Sequence, residues 1–547
     1  VASALAWLEG RAAPWFLWVH LWDPHEPYAP PEPYLSRFAG RPYDGEVAYV
    51  DDVLGTLFGR LEQAGLDRAT VVVLTGDHGE SLGEHGEETH GFLAYEATLR
   101  IPLIVVHPGL APRVVETPVS HADVFPTVCE LLGIGAPGGL QGVSLAGAVR
   151  GRPAADRPVY FESLTPYYSM GWAPISGFVD GDEKFIDSPV PEIYDLERDP
   201  AEAENLASPE AVDRKRAALA AMVEALASEA AGRAAAASDP ETVERLRSLG
   251  YAAATPGVAP PRRTAFGPED DAKALMPFYN RSMAALRLFE AGRRREAVEE
   301  ARAVIGARTN ISTAYLNLAH FLEEEGRAAE AAAVLRRGLE ALPANHYLFL
   351  EYVTCLYETG DFDGVLAAFD GPRPAQVEFD PLVWSYAGLS WLKKGDAARA
   401  RESFEKALAI DGESSLAWHN LGSLDYHLFQ ATGDRERLRA AAESQRRAVA
   451  LDPSSAPARY VLGAALYHLE DFPAAVASLE SALAADPALG EALYFLGLAH
   501  LRTGDRAKAC VRLRAYRGTS HYGSLAAGER ETVDGLIARF CRGDGRP

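Results

Sequence analysis

Val71-Val72-Val73-Leu74-Thr75-Gly76-Asp77-His78-Gly79-Glu80-Ser81-Leu82-Gly83-Glu84-His85-Gly86 is the stretch on which the fold of the first part of this chain turns. Its first five residues form a short, continuous, β-branched run, which predicts a strand buried on both faces in a parallel sheet. The rest is a polar loop punctuated by glycine. Asp77 and His78 therefore project from the carboxyl end of a strand, where open α/β sheets collect ligands and active sites. A carboxylate beside an imidazole can supply two ligands to one divalent metal. An isolated Asp-His-Gly tripeptide would read as a self-satisfied polar loop. The full twelve-residue phrase after a strand weighs for a site.

Similar runs lie on either side, at 15–20 (Trp15-Phe16-Leu17-Trp18-Val19-His20) and 101–106 (Ile101-Pro102-Leu103-Ile104-Val105-Val106). Between the first run and 71–75, an amphipathic helix is predicted over 44–64, with Val47, Val50, Val53, Leu54, Leu57, Phe58 and Leu61 on one stripe. The layout is α/β, with helices over a mostly parallel sheet. His20, inside its run, reads as a buried structural residue. From 173 to 196 the character changes to an antiparallel appendage, a hairpin over 176–186 and a short strand at Ile193-Tyr194-Asp195-Leu196. Residues 208–253 are Ala-rich and helical, and a connector with Pro256, Pro260, Pro261 and Pro268 follows.

From about residue 277 the chain repeats itself. Gly292, Gly326 and Gly360 stand 34 residues apart, and later turns fall at Gly395, Gly433, Glu470 and Gly504, with small insertions around Gly433. A 34-residue helix–turn–helix period is that of tetratricopeptide (TPR) arrays, which this region resembles. Ala319, Ala387, Gly388, Gly422, Gly463 and Gly497 are the small residues that let paired helices approach. The expected domains are 1–207 (the α/β domain), 208–276 (helical and Pro-rich linker), 277–517 (TPR solenoid) and 518–547 (C-terminal capping helix).

Composition bounds the function. The chain has 547 residues, 48% apolar and 24% charged, which fits an ordinary multidomain soluble protein. A formal net charge of -24 argues against nucleic acid and anionic membranes as partners. It leaves anionic substrates open, because a metal ion inverts the local field. No apolar stretch is long enough to span a membrane. The four cysteines, Cys129, Cys355, Cys510 and Cys541, lack metal-binding spacing and read as packed small hydrophobes. Compartment stays open, and the Ala- and Arg-rich composition suggests a bacterial source.

Three phrases carry a family resemblance. Thr75–Gly86 looks like the metal-binding signature of sulfatases, a branch of the alkaline-phosphatase superfamily; Trp22-Asp23-Pro24-His25-Glu26-Pro27-Tyr28 and Glu88-Thr89-His90-Gly91-Phe92 match further family contexts. Glu192-Ile193-Tyr194-Asp195-Leu196, with Asn205-Leu206, resembles the family's C-terminal signature, and Leu246-Arg247-Ser248-Leu249-Gly250-Tyr251 recurs in members with TPR extensions. Ser120-His121-Ala122-Asp123 resembles a structural helix of the family.

The resemblance implies a metal-dependent sulfuric ester hydrolase. Asp77 and His78 would be metal ligands, and His25 and His90 would contact the ester and assist its leaving group. The metal implied is one divalent ion, calcium by family habit, with manganese or zinc suited to the His78 imidazole. Many sulfatases carry Lys where this chain has His90, which leaves sulfate against phosphate open. The family's nucleophile, in a Cys/Ser-x-Pro-x-Arg motif, does not occur in residues 1–207. The expectation is a fragment whose nucleophile lies upstream of Val1 and which is itself inactive. Two other readings stand: a TPR scaffold that binds a protein or peptide and carries a hydrolase remnant, and a phosphoester hydrolase or phosphoethanolamine-type transferase of the same superfamily.

Overall fold

The computed structural model describes residues 1–230, 265–371 and 373–541. The chain divides into two compact units, Val1–Val243 with Arg263–Ala284, and Glu244–Arg262 with Ala285–Pro547. The first is a mixed α/β region with antiparallel sheets; the second is a long series of paired helices of the TPR type. Pro256, Pro260, Pro261 and the 246–251 phrase lie outside the described residues, as does the part of the expected 208–253 helix beyond Ala230.

In the first unit, strands β1 (Val72–Thr75) and β2 (Leu103–Val106) pair antiparallel, Val72 opposite Val106 and Thr75 opposite Leu103. This corrects the expectation of a parallel sheet. The run at 15–20 forms no strand, and Phe16 and Trp18 are 75% and 76% exposed. His20 is exposed rather than buried. The physical reason is shared: apolar β-branched runs indicate a strand, but the direction and number of its partners are set by distant segments. In this two-stranded sheet Ile104 and Val106 stay half exposed.

Strands β3 (Val159–Ser163), β4 (Ile175–Asp180), β5 (Glu183–Asp187) and β6 (Glu192–Asp195) form an antiparallel meander. The hairpin expected over 176–186 is present, closed by the two residues Gly181-Asp182, with Gly181 at φ 59 as such a turn requires. Phe178, Phe185 and Ile193 pack on Val212 and Leu219 of the helix Pro209–Ala230. Lys184 is fully buried between Glu202 (2.7 Å) and Glu96 (3.2 Å), an arrangement that matches a buried cation with two carboxylates. The helix over 42–63 (Pro42–Gln63) starts two residues earlier than expected.

In the second unit, helices alternate as Ser312–Glu324 with Ala328–Ala341, Pro381–Lys393 with Ala397–Ile410, Ala456–His468 with Phe472–Ala485, and Gly490–Thr503 with Arg506–Arg517. The insertions around Gly433 lengthen the helices themselves: Ser415–Thr432 and Arg435–Leu451 have 18 and 17 residues, against 13 and 14 in the next pair. Every expected turn residue has a left-handed backbone, including Glu470 at φ 68. The small residues are forced by proximity. A Cβ on Gly388, Gly463 or Gly497 would lie 2.4, 2.5 or 2.7 Å from Phe404, Leu479 or Leu513.

Cys129 and Cys355 are free and buried, as read from the sequence, but Cys510 and Cys541 form a disulfide. A pair 31 residues apart on different helices leaves no spacing signature, so only the folded chain brings it together.

Candidate active site

β1 ends at Thr75, and the chain turns at once into a loop pinned to the segment that follows. Gly79 donates its N–H to the Thr98 carbonyl at 2.7 Å, and a Cβ there would sit 2.3 Å from the Ala97 oxygen, so only glycine fits. Ser81 closes the loop, its N–H on the Thr89 carbonyl and its hydroxyl on that of Glu87. Glu87 is buried and accepts the N–H groups of Phe92 (2.8 Å) and Leu93 (3.1 Å), which fixes the segment bearing His90. Burial nevertheless dominates, and pushes the Glu87 carboxyl up to about 7. His121 contributes from outside, its Nε2 2.7 Å from the Gly76 carbonyl.

A separate anchor holds the Pro-flanked loop of His25. Glu46, 2% exposed in the first turns of the helix Pro42–Gln63, accepts the N–H of His25 (3.0 Å) and of Ala29 (2.6 Å). Sequence reasoning missed Glu46; its one signal is a carboxylate beside Val47 in an otherwise apolar stripe.

These two anchors bring three imidazoles together. The rings of His78 and His90 stack with centroids 3.9 Å apart, and His25 meets His90 edge-on at 5.6 Å. Trp22 backs His25 at 4.2 Å. Each ring is tethered through Nδ1: His25 to the Glu26 carbonyl (2.6 Å), His78 to the Gly79 carbonyl (2.8 Å) and His90 to the nearly buried Glu80 carboxylate (3.1 Å). A carbonyl oxygen can only accept, so His25 and His78 carry a proton on Nδ1, and in the neutral rings Nε2 holds the lone pair. Glu80, within the quoted phrase, had been assigned no role by sequence reasoning. Burial, then the Glu80 charge, raises the neighbouring Tyr28 phenol above its ordinary value. Asp77 completes the group, 3.8 Å from His78 Nε2, and both side chains are about half exposed.

The donor set suits a metal only in part. Asp77 and His78 offer one oxygen and one nitrogen, whereas a divalent ion takes at least four ligands. Among the described residues no group of three or more His, Cys, Asp or Glu side chains is placed to hold a metal. The only literal Ser-x-Pro-x-Arg in the chain, Ser455-Ala456-Pro457-Ala458-Arg459, lies in the repeats. There Ser455 caps the helix Ala456–His468 and Arg459 binds the Pro453 carbonyl, so the match is structural. Asp123 is fully buried, held by Arg157 and by the N–H groups of Ser120 and Val143.

Comparison with known proteins gives the same picture. The sulfatase family matches residues 1–134, the C-terminal region of N-sulphoglucosamine sulphohydrolase matches 83–229, and tetratricopeptide repeats match 282–346, 426–490 and 469–510. A choline-sulfatase of Rhizobium meliloti is 33% identical over 176 residues, covering 31% of this chain and 33% of its own length. A Delta 4,5-hexuronate-2-O-sulfatase of Bacteroides thetaiotaomicron is 30% identical over 168 residues, covering 29% and 34%. The chain thus spans about a third of these relatives. Among solved structures, a thermophilic TPR protein of Thermus thermophilus aligns at 22% identity and TM-score 0.28, covering 35% of this chain and 97% of that one.

Proposed function

From the premise that the chain fuses an N-terminal sulfatase-family domain to a C-terminal TPR-repeat region, we propose that it belongs to a metal-dependent sulfuric ester hydrolase. One observation carries this reading: three imidazoles, each tethered at Nδ1, converge, and Asp77 stands beside one of them, His78. Asp77 and the Nε2 of His78 would hold the ion, calcium by family habit, with manganese or zinc also suited to an imidazole. When bound, it would neutralise ester oxygens and lower the pKa of the nucleophile. His25 and His90, once protonated, direct Nε2–H at the anion; they bind its oxygens and donate a proton to the departing alkoxide. The tethers at Nδ1 keep both rings from turning away. The family's Cys/Ser-x-Pro-x-Arg nucleophile motif does not occur in residues 1–207, so the reading is tested in a protein that supplies it. The TPR region holds a protein or peptide partner in its groove.

The test is Asp77→Ala in the protein that carries the nucleophile. Loss of aryl-sulfate hydrolysis by at least ~10²-fold, with partner capture unchanged, supports the reading. Unchanged hydrolysis sinks it. A preference for aryl phosphate over sulfate would move the assignment to a phosphoester hydrolase.

A further inference from the structure

Away from the histidine cluster, the Cys510–Cys541 bond is the one piece of covalent chemistry that the proposed reaction does not use. Cys510 lies in the helix Arg506–Arg517, and Cys541 is the C-cap of the helix Ala527–Phe540. Both residues are buried. Val533 is the only buried residue of the helix Ala527–Phe540, and its other ties are polar, such as the Tyr522 hydroxyl on exposed Asp534 (2.9 Å). Val533, with Ile537 beside it, covers Leu493 and Tyr516 at the last repeat. Two arginines grip the end of this helix, Arg506 at the Phe540 carbonyl and Arg514 at the Cys541 carbonyl (3.0 Å).

A helix with one buried side chain has little to hold it against fraying. The covalent link changes this. Closing a span of 31 residues favours the docked state by a factor on the order of several hundred, on loop-closure entropy. The apolar patch of Leu493, Tyr494 and Tyr516 is the face on which a further repeat would stack, and an array needs such a face covered.

We infer that this disulfide is a redox latch on the C-terminal helix. Oxidised, it holds the helix over the end of the array; reduced by a dithiol, it releases the helix and opens that end. The thiolate of the dithiol attacks Cys541 Sγ, at the fraying end of the helix, and forms a mixed disulfide. The Cys510 sulfur leaves with the bonding electron pair and takes up a proton. The second thiol of the reductant then displaces Cys541 as its thiolate. The balance is two protein thiols gained and one dithiol oxidised to its disulfide. Cys129 and Cys355, both buried free thiols, are spectators.

The experiment follows hydrogen exchange of the 547-residue chain after equilibration in an oxidising glutathione buffer. Alkylation under denaturing conditions should find two free thiols. Adding dithiothreitol should speed exchange in 527–540 by at least ~30-fold and leave the helix Ala456–His468 unchanged. Cys541→Ser should show the fast exchange without reductant. Four free thiols after oxidation, or unchanged exchange in 527–540 on reduction, would overturn the latch. So would acceleration throughout the array, which marks a bond needed for global stability. Should Cys541→Ser not fold, the wild-type chain with and without dithiothreitol decides alone.

Discussion

His90, where the resemblance to sulfatases implies a lysine in many members, rests its Nδ1 on Glu80 at 3.1 Å. A lysine would be charged at any neutral pH; an imidazole must gain its second proton to do the same work. In the protein that carries the nucleophile, His90→Ala and His25→Ala should each lower kcat/KM for an aryl sulfate by about 10²-fold or more. Steady-state kinetics check this, and a smaller loss for both would remove the histidines from the reaction. Glu87 offers a pH test that this chain can take by itself. Its folded carboxyl is raised from 4.5 to about 7. The folded state therefore holds its proton more tightly than the unfolded chain. The stability tied to that proton is complete below about pH 4.5 and is lost as pH rises through about 7. Urea denaturation at pH 5 and pH 8 should show this loss, up to about 3 kcal/mol, and Glu87→Gln should shrink it. Equal pH dependence in both proteins would place the loss elsewhere. Asp77, His78, His25 and His90 could be picked from the sequence because their neighbours are distinctive. Glu80 acts through a contact that no local pattern announces, and Glu46 leaves only the faint signal of a carboxylate in an apolar stripe.

At the scale of elements, the paired helices carry the sharpest expectations. Gly463 faces Leu479 so closely that Gly463→Ala should cost about 1–3 kcal/mol by overpacking, despite the better helix propensity of alanine. Glu470 is the opposite case. It is the one non-glycine among the seven turns, at φ 68. Glu470→Gly should therefore stabilise the array by about 1 kcal/mol. Thermal denaturation of the two variants checks both signs, and a stabilised Gly463→Ala would refute the packing argument. These elements were legible in sequence because a repeat's partners are its neighbours in the chain, so a period of 34 residues encodes its own packing. The hairpin of β4 and β5 was legible for the same reason, through its two-residue turn. The direction of β1 against β2 was not, since 27 residues separate Thr75 from Leu103 and the apolar run is the same in either orientation.

At the scale of the whole molecule, the α/β unit leaves Phe16, Trp18, Trp22, Ile104 and Val106 more than half exposed. Scattered, such residues are ordinary; gathered, they bind hydrophobic dyes and promote association. The 547-residue chain should enhance the fluorescence of an apolar dye, and Trp18→Ser with Ile104→Thr should reduce the signal. No change on substitution would locate the sticky surface elsewhere. A net charge of -24 works against precipitation of such a surface. The repeat unit, built of neighbour contacts, behaves as a one-dimensional series of coupled links. In such a series the weakest joint decides where an applied force parts the whole. Among the described residues the pair His346–Glu358 with Phe362–Ala368 is that place, its second helix only 7 residues long with Val365 its one buried side chain: pulled from its ends, the array should yield there first, in a discrete early step.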